Sequence, residues 1–434
     1  MSLKNGQVMI DGELITTNIY IKDGSTNLIS DKNFESDQII DCKNLLILPG
    51  VIDSQVHFRE PGLEGKENLE SGMLAAVSGG VTAIFEMPNT NPLTITPETI
   101  SDKLKRASKG AWSDYAFYLG GTMRTSSNLS EWENLKGVCG IKIFMGASTG
   151  DLMTASDEEV ESVVANGQRV IAVHAEDQMI MMENQKNILG DSKDVAMHCK
   201  WRSPESCLSA TQRVVTLAKK HNRRVHILHI TTEQEMDFLS KNKDVASVEL
   251  LANHLSLYAP ECYERLGTLA QQNPPIREKH HQDALWKALN NDVVDIIASD
   301  HAPHTLDEKA QTYPKSPSGT PGVQTLVPVM LNHVNDGKLS LNQLINLVCE
   351  NPVKIFGIKN KGFIKEGYDA DFTIVDMNKT IQIKNENIES KCGWSPFDGF
   401  EFKGAPMATI IAGKIKMKDG KIQGDPEGSP LIFN

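Results

Sequence analysis

The middle of the chain alternates short apolar runs with longer amphipathic segments. The amphipathic segments have the 3.6-residue period of helices, and polar residues after Ser156 and Thr232 are typical of helix starts. The apolar runs predict eight strands, at residues 46–52, 81–85, 115–119, 140–145, 169–173, 224–228, 246–251 and 293–299. Strands that alternate with crossover helices in this number predict a (β/α)8 TIM-type barrel over residues 50–358.

Both ends of the chain have a different pattern, in which shorter alternating runs are separated by turn signals. Residues 1–49 predict antiparallel strands, with hairpin turns at Asp11-Gly12 and Asp23-Gly24. Similar alternation returns at 371–377 and 408–422. Because two separate end domains would each have a very small core, we expect residues 1–49 and 359–434 to form one small β-sandwich.

Polar or titratable side chains follow several of the apolar runs. Gln55, His57 and Arg59 alternate at the end of the first run. Later runs end in Lys142, His174, His229 and Asp300. A single histidine after a strand is more often a packing residue, but the carboxyl ends of parallel barrel strands meet on one face. The recurrence therefore predicts one site that all these residues share.

Six segments carry a resemblance to a known family. DSQVHFREPG, MPNTNP, IKIFMGASTG, VHAED, ILHITT and SDHAPH occur in this order and resemble the amidohydrolase superfamily, and within it the class I dihydroorotases. The resemblance implies the reversible cyclisation of N-carbamoyl-L-aspartate to L-dihydroorotate in de novo pyrimidine (UMP) biosynthesis. It also implies a barrel joined to a β-sandwich. One position departs from the family pattern Asp-x-His-x-His, because Gln55 replaces its first histidine.

The resemblance implies a metal centre of one or two zinc ions. Imidazole nitrogens and carboxylate oxygens are ligands that zinc accepts in open catalytic sites. The ligands implied by the family pattern are His57, Lys142, His174, His229 and Asp300, with Gln55 in the altered position. An ammonium repels cations, but the equivalent lysine of many relatives is carboxylated by CO2, and we expect the same of Lys142. For Gln55 a weakened second metal, a glutamine-ligated binuclear site and a single-metal site all stay open.

Other histidines compete for these roles. His226 and His229 have an odd spacing, which places them on opposite faces of a strand, and the resemblance selects His229. His254 is a candidate site residue within NHLSL, where Asn253 replaces a family histidine. The histidines expected at the surface or in packing are His198, His221, His280 and His281.

A substrate pocket is implied next to the metal residues. A guanidinium at Arg59 can hold a carboxylate through two hydrogen bonds, and its alternative is an ion pair with Glu60 or Glu64. The resemblance implies that Asn89 and His304 also hold the carboxylate and that Asn273 contacts the pyrimidine ring. The polar segment 305–322 is a candidate cover for the site.

The implied mechanism is attack of a metal-bound hydroxide on the ring carbonyl, with Asp300 as general base and then general acid. Two alternatives remain open. One is another cyclic amidase, of the allantoinase or hydantoinase type. The other is a non-catalytic dihydroorotase-like subunit that scaffolds aspartate transcarbamoylase.

Composition narrows the classes of partner. The formal net charge of −12 disfavours nucleic acid and anionic membranes, and no apolar run approaches the ~18 residues of a membrane span. Seven scattered cysteines without a CxxC pair predict reduced thiols and a cytoplasmic protein. A homo-oligomer, and binding to aspartate transcarbamoylase, are expectations from the resemblance alone.

Overall fold

The computed structural model describes residues 1–10, 12–146 and 152–434. The hairpin turn predicted at Asp11-Gly12 therefore lies partly outside the described residues, as does the end of the IKIFMGASTG segment. At the second predicted hairpin turn, Asp23 and Gly24 both have positive φ angles, of 50° and 79°. Two successive left-handed residues are typical of a tight two-residue hairpin, so this prediction is confirmed.

The strands in chain order are β1 (Ser2–Ile10), β2 (Glu13–Lys22), β3 (Ser25–Ser30), β4 (Ile39–Asp41), β5 (Leu46–Pro49), β6 (Val51–Val56), β7 (Val81–Glu86), β8 (Asp114–Gly120), β9 (Val138–Phe144), β10 (Ile171–His174), β11 (Val225–Ile227), β12 (Ala246–Leu251), β13 (Ile296–Ala298), β14 (Phe372–Gln382), β15 (Glu401–Ile411), β16 (Lys414–Lys418) and β17 (Lys421–Ile422).

The helices are α1 (Leu69–Ser78), α2 (Pro97–Ala107), α3 (Leu129–Trp132), α4 (Asp157–Val164), α5 (Gln178–Asn184), α6 (His198–Trp201), α7 (Pro204–Lys220), α8 (Glu233–Leu239), α9 (Ala252–Ser256), α10 (Glu261–Leu266), α11 (Lys279–Asn290), α12 (Leu306–Lys309), α13 (Leu326–Asn335), α14 (Leu341–Ile345) and α15 (Asn351–Phe356). Both helix starts inferred from polar residues are confirmed, because the Ser156 and Thr232 side chains accept hydrogen bonds from the backbone N–H groups of Glu159 and Glu235.

Strands β6 to β13 form an eight-stranded parallel sheet in which the order of the strands follows the chain. The first and last strands meet beyond their ends, where Val56 and His301 pair in parallel and the His57 N–H donates to His301 O at 2.7 Å. This contact joins β6 to the segment after β13 and closes the barrel next to its carboxyl-terminal face. The predicted (β/α)8 barrel is confirmed.

The two ends of the chain share a second sheet of nine strands. Its order is β17-β16-β15-β14-β5-β1-β2-β3, with β4 paired to β1, so that β5 from the N-terminal segment lies beside β14 from the C-terminal segment. Both segments bury apolar side chains in one cluster, which includes Leu3, Val8, Ile47, Phe372 and Ile410. The division of the chain into 1–49 plus 359–434 and 50–358 stays a proposal.

The state of the cysteines and the length of the helices in the described part agree with what the composition predicts. All seven cysteines are buried and free. None of the helices in the described ranges is long and apolar enough to cross a lipid bilayer.

Candidate active site

A cavity of about 170 Å³ opens at the carboxyl-terminal face of the barrel. It is lined by Gln55, His57, Arg59, Asn89, Phe144, His174, His229, Asn273, Asp300, Ala302, Ser318 and Gly319. These residues come from the ends of five strands and from loops far apart in the chain. The parallel barrel brings them together because the carboxyl ends of its strands lie on the same face.

Three cavity residues, each two or three positions beyond the end of a strand, have left-handed backbone conformations. The φ angles are 64° for Arg59, 42° for His229 and 46° for Asp300. Non-glycine residues with positive φ typically cost about 1–3 kcal/mol each and occur most often at functional sites. The backbone is therefore in an energetically unfavourable conformation at the residues that follow the strands and line the cavity.

One pair of histidines meets at the ends of β10 and β11. His174 Nδ1 and His229 Nε2 are 3.0 Å apart, and His174 Nε2 lies 2.7 Å from a Glu176 oxygen. Glu176 is in turn held by both Nε and Nη2 of Arg202. Burial raises the pKa of Glu176, but the Arg202 guanidinium and the His174 contact outweigh it and lower the pKa to about 2. Because Glu176 is an anion, His174 donates through Nε2–H and keeps the lone pair on Nδ1, facing His229. A carboxylate that fixes a histidine in this way is typical of metal-ligating histidines.

A second group lies at the end of β6. His57 Nδ1 is 2.7 Å from Asn89 Oδ1, and His57 Nε2 is 3.2 Å from Asp300 Oδ1. The Gln55 amide donates to the same Asp300 oxygen at 3.0 Å, while Gln55 Oε1 is buried with no hydrogen-bond partner among the residues that the structure describes. With the Nδ1 proton donated to Asn89, His57 Nε2 turns a lone pair towards a carboxylate oxygen. Two electron-rich atoms at this distance favour a cation or proton between them.

Lys142 is fully buried on β9. Its Nζ donates to the backbone oxygen of Ile143 at 3.2 Å and lies 4.0 Å from the centre of the Phe144 ring. Within the described ranges, no carboxylate oxygen lies within ion-pair distance of this Nζ. Burial lowers the pKa of Lys142 to about 7, so a large fraction of the amine is unprotonated at neutral pH.

The donor set fits a divalent cation, although its residues contact each other in pairs. No three His, Cys, Asp or Glu side chains in the described part already surround a common point as metal ligands. Burial lowers the pKa values of His57, His174 and His229, which leaves the imidazoles neutral, as ligation requires. Two nitrogens on one tetrahedral zinc, each at ~2.0–2.1 Å, are roughly 3.3 Å apart. The 3.0 Å contact between His174 and His229 is close to that separation.

A different part of the cavity wall carries positive charge. Arg59 is 8% exposed, its Nε donates to Pro303 O at 3.2 Å, and its Nη2 lies 3.4 Å from His304 Nε2. His304 Nε2 is also 3.0 Å from Ser318 O, and its Nδ1 is 3.1 Å from the Lys66 ammonium. Ser318 O can only accept and Lys66 can only donate, so His304 carries its proton on Nε2. Arg59 therefore has no acceptor in His304, and its Nη groups are available to a ligand.

Arg59 has no carboxylate partner among the residues that the structure describes. The alternative of an ion pair with Glu60 or Glu64 is wrong, because both glutamates lie beside Arg106, at 3.4 and 3.8 Å. Burial lowers the pKa of Arg59 to about 10, which still leaves the guanidinium charged at neutral pH. A buried unpaired cation at a cavity wall favours an anionic ligand.

Two loops pack closely to complete the cavity wall. Gly62 (φ 92°) follows Arg59, and a Cβ there would lie 2.0 Å from Asn91 O, in the turn that carries Asn89. Gly319 (φ 141°) belongs to the segment predicted to cover the site, and a Cβ there would lie 2.4 Å from Ala302 O. At both positions the backbones of two loops lie so close together that only glycine fits. Since Ser318 and Gly319 line the cavity, the segment 305–322 forms part of its wall.

Asn273 is held by a histidine that the sequence analysis did not select. His198 lies on α6, is 1% exposed, and has its Nε2 2.9 Å from Asn273 Oδ1. His198 was expected at the surface or in packing. It is buried, and it also contacts the cavity residue Asn273. No local signal identifies His198, because it lies in a short helix between β10 and β11 rather than at a strand end. Glu176 was also missed, although a carboxylate two residues after His174 is a usable signal.

The remaining histidine candidates lie outside the cavity. His226 is within β11 and contacts Ser247 Oγ at 2.8 Å and Glu249 at 3.3 Å inside the barrel, as expected of a structural residue. His254 Nε2 contacts Gln272 and Pro274 O, and the Asn253 amide donates to Thr320. Neither His254 nor Asn253 lines the cavity.

Comparison with known proteins identifies the family. The model of the amidohydrolase family matches residues 46–416, which include every strand of the barrel. The chain belongs to the amidohydrolase family. As an amidohydrolase, the protein is an enzyme, and the expectation of a hydrolase that acts on cyclic amides is confirmed at this level.

Curated relatives of this amidohydrolase cover nearly its whole length. The dihydroorotase of Pyrococcus furiosus is 36% identical and aligns with 98% of this chain and 95% of the relative. The dihydroorotase of Methanosphaera stadtmanae is 34% identical, with 97% of each chain covered. The resemblance to dihydroorotases that the sequence motifs indicated is therefore confirmed.

Solved structures similar to the amidohydrolase include hydantoinases. The L-hydantoinase (dihydropyrimidinase) from Arthrobacter aurescens superposes with a TM-score of 0.94 and 29% identity, over 99% of this chain and 98% of that one. A D-hydantoinase gives a TM-score of 0.91 with 26% identity, over 99% and 97%. The barrel with its additional sheet is thus shared by enzymes named for different cyclic amides.

The structure brings the residues predicted as metal ligands and substrate contacts to one region, with two of them behind the cavity wall, whereas His254 lies outside it. The residues on the wall are Gln55, His57, Arg59, Asn89, His174, His229, Asn273 and Asp300. Lys142 is buried in β9, whose end reaches the cavity at Phe144, and His304 lies behind Arg59 and Ser318. The roles of these residues are proposals, which the geometry allows to be stated atom by atom.

Proposed function

We propose that the enzyme is a dihydroorotase, which interconverts N-carbamoyl-L-aspartate and L-dihydroorotate in de novo pyrimidine biosynthesis. The observation that carries the proposal is the buried Arg59 guanidinium, which lines the cavity without a carboxylate partner among the described residues. Dihydroorotate carries a ring carboxylate, whereas simple hydantoins and dihydrouracil do not. A substrate carboxylate would neutralise the guanidinium through charge-assisted hydrogen bonds.

Three further side chains support recognition of the same substrate. Asn89 Oδ1 is engaged by His57, and Asn273 Oδ1 by His198, so both amides have an NH2 group left to donate. His304 is held between Ser318 O and Lys66, next to Arg59. Placed around a carboxylate and a ring carbonyl, these donors would fix the ring against the metal residues and remove the entropy cost of alignment.

The residues proposed to hold zinc are His57, His174, His229, Asp300, carboxylated Lys142 and, more weakly, Gln55. When bound, one or two divalent cations would supply a Lewis acid for the ring carbonyl and lower the pKa of water. The neutral amide oxygen of Gln55 is a poorer ligand than imidazole, so we propose that metal binding is retained but weakened at the end of β6.

We propose that Lys142 becomes a ligand by reaction with CO2. Its unprotonated amine would attack the carbon of CO2, forming an N–C bond, and release one proton to solvent to leave a carbamate anion. The lowered pKa, of about 7, supports this step because only the unprotonated amine is a nucleophile. The carbamate would also replace a cation by an anion next to the neutral histidines.

Asp300 is proposed as the group that moves the proton. It lines the cavity, and its Oδ1 accepts a hydrogen bond from the Gln55 amide and faces His57 Nε2 at 3.2 Å. In hydrolysis it would accept a proton from the attacking water and pass that proton to the ring nitrogen as the C–N bond breaks. In the direction of ring closure the same carboxylate would act in the reverse order.

The test is turnover by the purified protein supplied with zinc and bicarbonate. We expect hydrolysis of L-dihydroorotate and its formation from N-carbamoyl-L-aspartate, both abolished by a chelator and restored by zinc. Dihydrouracil and hydantoin, which lack the carboxylate, serve as matched controls and should be poor substrates. Faster turnover of these controls than of dihydroorotate would overturn the proposal and indicate a hydantoinase, the kind of enzyme to which the similar solved structures belong.

Complete inactivity towards all cyclic amides would favour the scaffold for aspartate transcarbamoylase. The motivation for that alternative is Gln55 together with Asn253. Against it, loss of several metal residues is expected in a non-catalytic subunit, whereas here His57, Lys142, His174, His229 and Asp300 all remain. Assembly as a homo-oligomer, binding to a transcarbamoylase and a cytoplasmic location remain part of the proposal, since they rest on the family alone.

A further inference from the structure

We propose that His198 and Tyr313 are positioning residues that orient the Asn273 amide so that its NH2 group, and not its carbonyl oxygen, faces the cavity. The part of the cavity next to Asn273 would then bind only a substrate that places a hydrogen-bond acceptor, such as a ring carbonyl, against this NH2 group. The identity of that substrate rests on the proposed function, but the direction of the hydrogen bonds does not.

The residues of this chain of hydrogen bonds come from three segments. His198 and Trp201 are at the two ends of α6, Tyr313 belongs to the segment 305–322, and Asn273 follows α10. His198 and Tyr313 are only 1% and 2% exposed. The contacts are therefore shielded from water, and each donor needs an acceptor within the protein.

The chemistry of one neighbour decides which nitrogen of His198 carries the proton. His198 Nε2 lies 3.1 Å from the backbone oxygen of Gln272. A carbonyl oxygen can only accept, so Nε2 must carry hydrogen. The Asn273 side-chain atom that lies 2.9 Å from the same Nε2 must then also be an acceptor, which is Oδ1. The NH2 group of Asn273 is consequently directed away from His198.

The other side of the imidazole gives the same direction. Trp201 Nε1 can only donate, and it lies 2.6 Å from the Tyr313 hydroxyl oxygen. The hydroxyl hydrogen is therefore free for His198 Nδ1, at 3.3 Å. Each hydrogen bond from Trp201 through Tyr313 and His198 to Asn273 points the same way.

Burial also fixes the number of protons in the chain. It lowers the pKa of His198 to about 3, helped by the nearby Arg202, and raises the pKa of Tyr313 to about 12. The imidazole thus has one proton and the phenol keeps its own throughout the neutral range. With one proton on each group, the chain has no freedom to reverse, which makes the orientation of Asn273 a permanent property of the site.

The first experiment examines the protein without substrate. Protein labelled with 15N-histidine would be studied by long-range 1H–15N correlation, with a His198→Phe variant to assign the His198 signals. We expect a neutral imidazole with hydrogen on Nε2, unchanged between pH 6 and 9. Hydrogen on Nδ1, or a mixture of the two neutral forms, would overturn the proposal.

The second experiment measures KM and kcat for dihydroorotate. His198→Phe leaves the Asn273 amide free to turn, and we expect KM to rise about tenfold with a small change in kcat. Tyr313→Phe removes the donor to Nδ1 but leaves the Gln272 contact, so about a threefold rise is expected. His333→Phe is the matched control, because His333 is also buried, contacts Ser256 Oγ and lies outside the cavity, and the KM of this variant should not change.

A double-mutant cycle separates orientation from general packing. If His198 acts through Asn273, then His198→Phe should not raise KM further in a protein that already carries Asn273→Ala. Effects that multiply instead would assign His198 a merely structural role and overturn the proposal. If the unmodified enzyme did not turn over dihydroorotate, the proposed function would fail, whereas the protonation of His198 would still decide the orientation of Asn273.

Discussion

The two sides of the cavity contain buried polar groups of opposite electrical character. On the histidine side, formed by Gln55, His57, His174, His229 and Asp300, neutral imidazoles and a carboxylate contact one another in pairs. On the cationic side, formed by Arg59, His304 and Lys66, a guanidinium lines the cavity without a carboxylate partner in the described part. Lone pairs thus accumulate on one side and positive charge on the other.

A buried ion pair elsewhere in the barrel can be compared with the charged groups of the cavity. Lys103 and Glu86 are both fully buried and form an ion pair, and Lys103 also donates to Met87 O at 2.9 Å. There the protein provides both charges itself. In the cavity the described residues provide one charge on each side, so each side needs a group that they do not supply. The difference between the two sides indicates a site for a cation and an anion together, and predicts which substitutions affect which side.

The largest effect is expected at Asp300, where the proposed proton transfer takes place. Asp300→Asn keeps the shape of the side chain but removes its basicity, and kcat should fall by about 10²–10⁴-fold. The matched control is Asp295→Asn, just before β13, which should keep its kcat. Thermal unfolding of both variants checks that the fold is retained. An Asp300→Asn enzyme with more than a tenth of the original kcat would remove Asp300 from the chemistry.

The next largest effect tests the cationic side alone. Arg59→Leu removes the guanidinium, and KM for dihydroorotate should rise by about 30- to 1000-fold, since loss of a buried charge partner typically costs about 2–4 kcal/mol. The content of zinc should not change, because Arg59 is not on the histidine side. Arg106→Leu, which breaks a partly exposed ion pair with Glu60, is the control with unchanged KM. An unchanged KM in Arg59→Leu would remove the carboxylate-binding role.

A gain of function at the histidine side should be smaller. Gln55→His places an imidazole where the amide oxygen is buried with no partner in the described part of the chain, and zinc affinity should increase by about 10- to 100-fold. The measurement is zinc retained after dialysis against a chelator of known affinity, together with KM for dihydroorotate, which should stay constant. If zinc retention did not increase, Gln55 would not be the weak point of the metal centre.

The smallest effect concerns stability at low pH. Burial lowers the pKa of His304 to about 2, assisted by Arg59, and that of His333 to about 3. Below the unfolded value of ~6.5 the unfolded chain binds protons that the folded protein excludes, so stability falls as pH decreases. Each histidine should account for about 1.5 kcal/mol of the unfolding free energy lost between pH 6.5 and 5.

Urea unfolding at these two pH values measures this loss, and a His304→Phe or His333→Phe variant should lose less. N-carbamoyl-L-aspartate should reduce the loss only when His304 is present, because an anion beside Arg59 raises the pKa of that histidine. If N-carbamoyl-L-aspartate reduced the loss equally in His304→Phe and His333→Phe, the assignment of His304 to the cationic side would be contradicted.

Much of the site could be predicted from strand ends. His57, His174 and Asp300 follow apolar runs directly, so their positions in the fold follow from the barrel. The polar groups that hold these residues could not be predicted in the same way. His198 contacts Asn273, 75 positions away, and Lys66 contacts His304, 238 positions away. Such distant partners leave no periodic signal in the chain.

The sequence by itself determined the order of strands and helices, since apolar periodicity is local and each run reports its own burial. It also determined the kinds of side chain at the strand ends, and hence the family. Only the tertiary structure decided that Arg59 lacks an ion-pair partner among the described residues while Arg106 takes both nearby glutamates. It also decided the direction of the hydrogen bonds around His198. Both depend on which atoms are within about 3 Å, a distance that residues far apart in the chain reach only when it is folded.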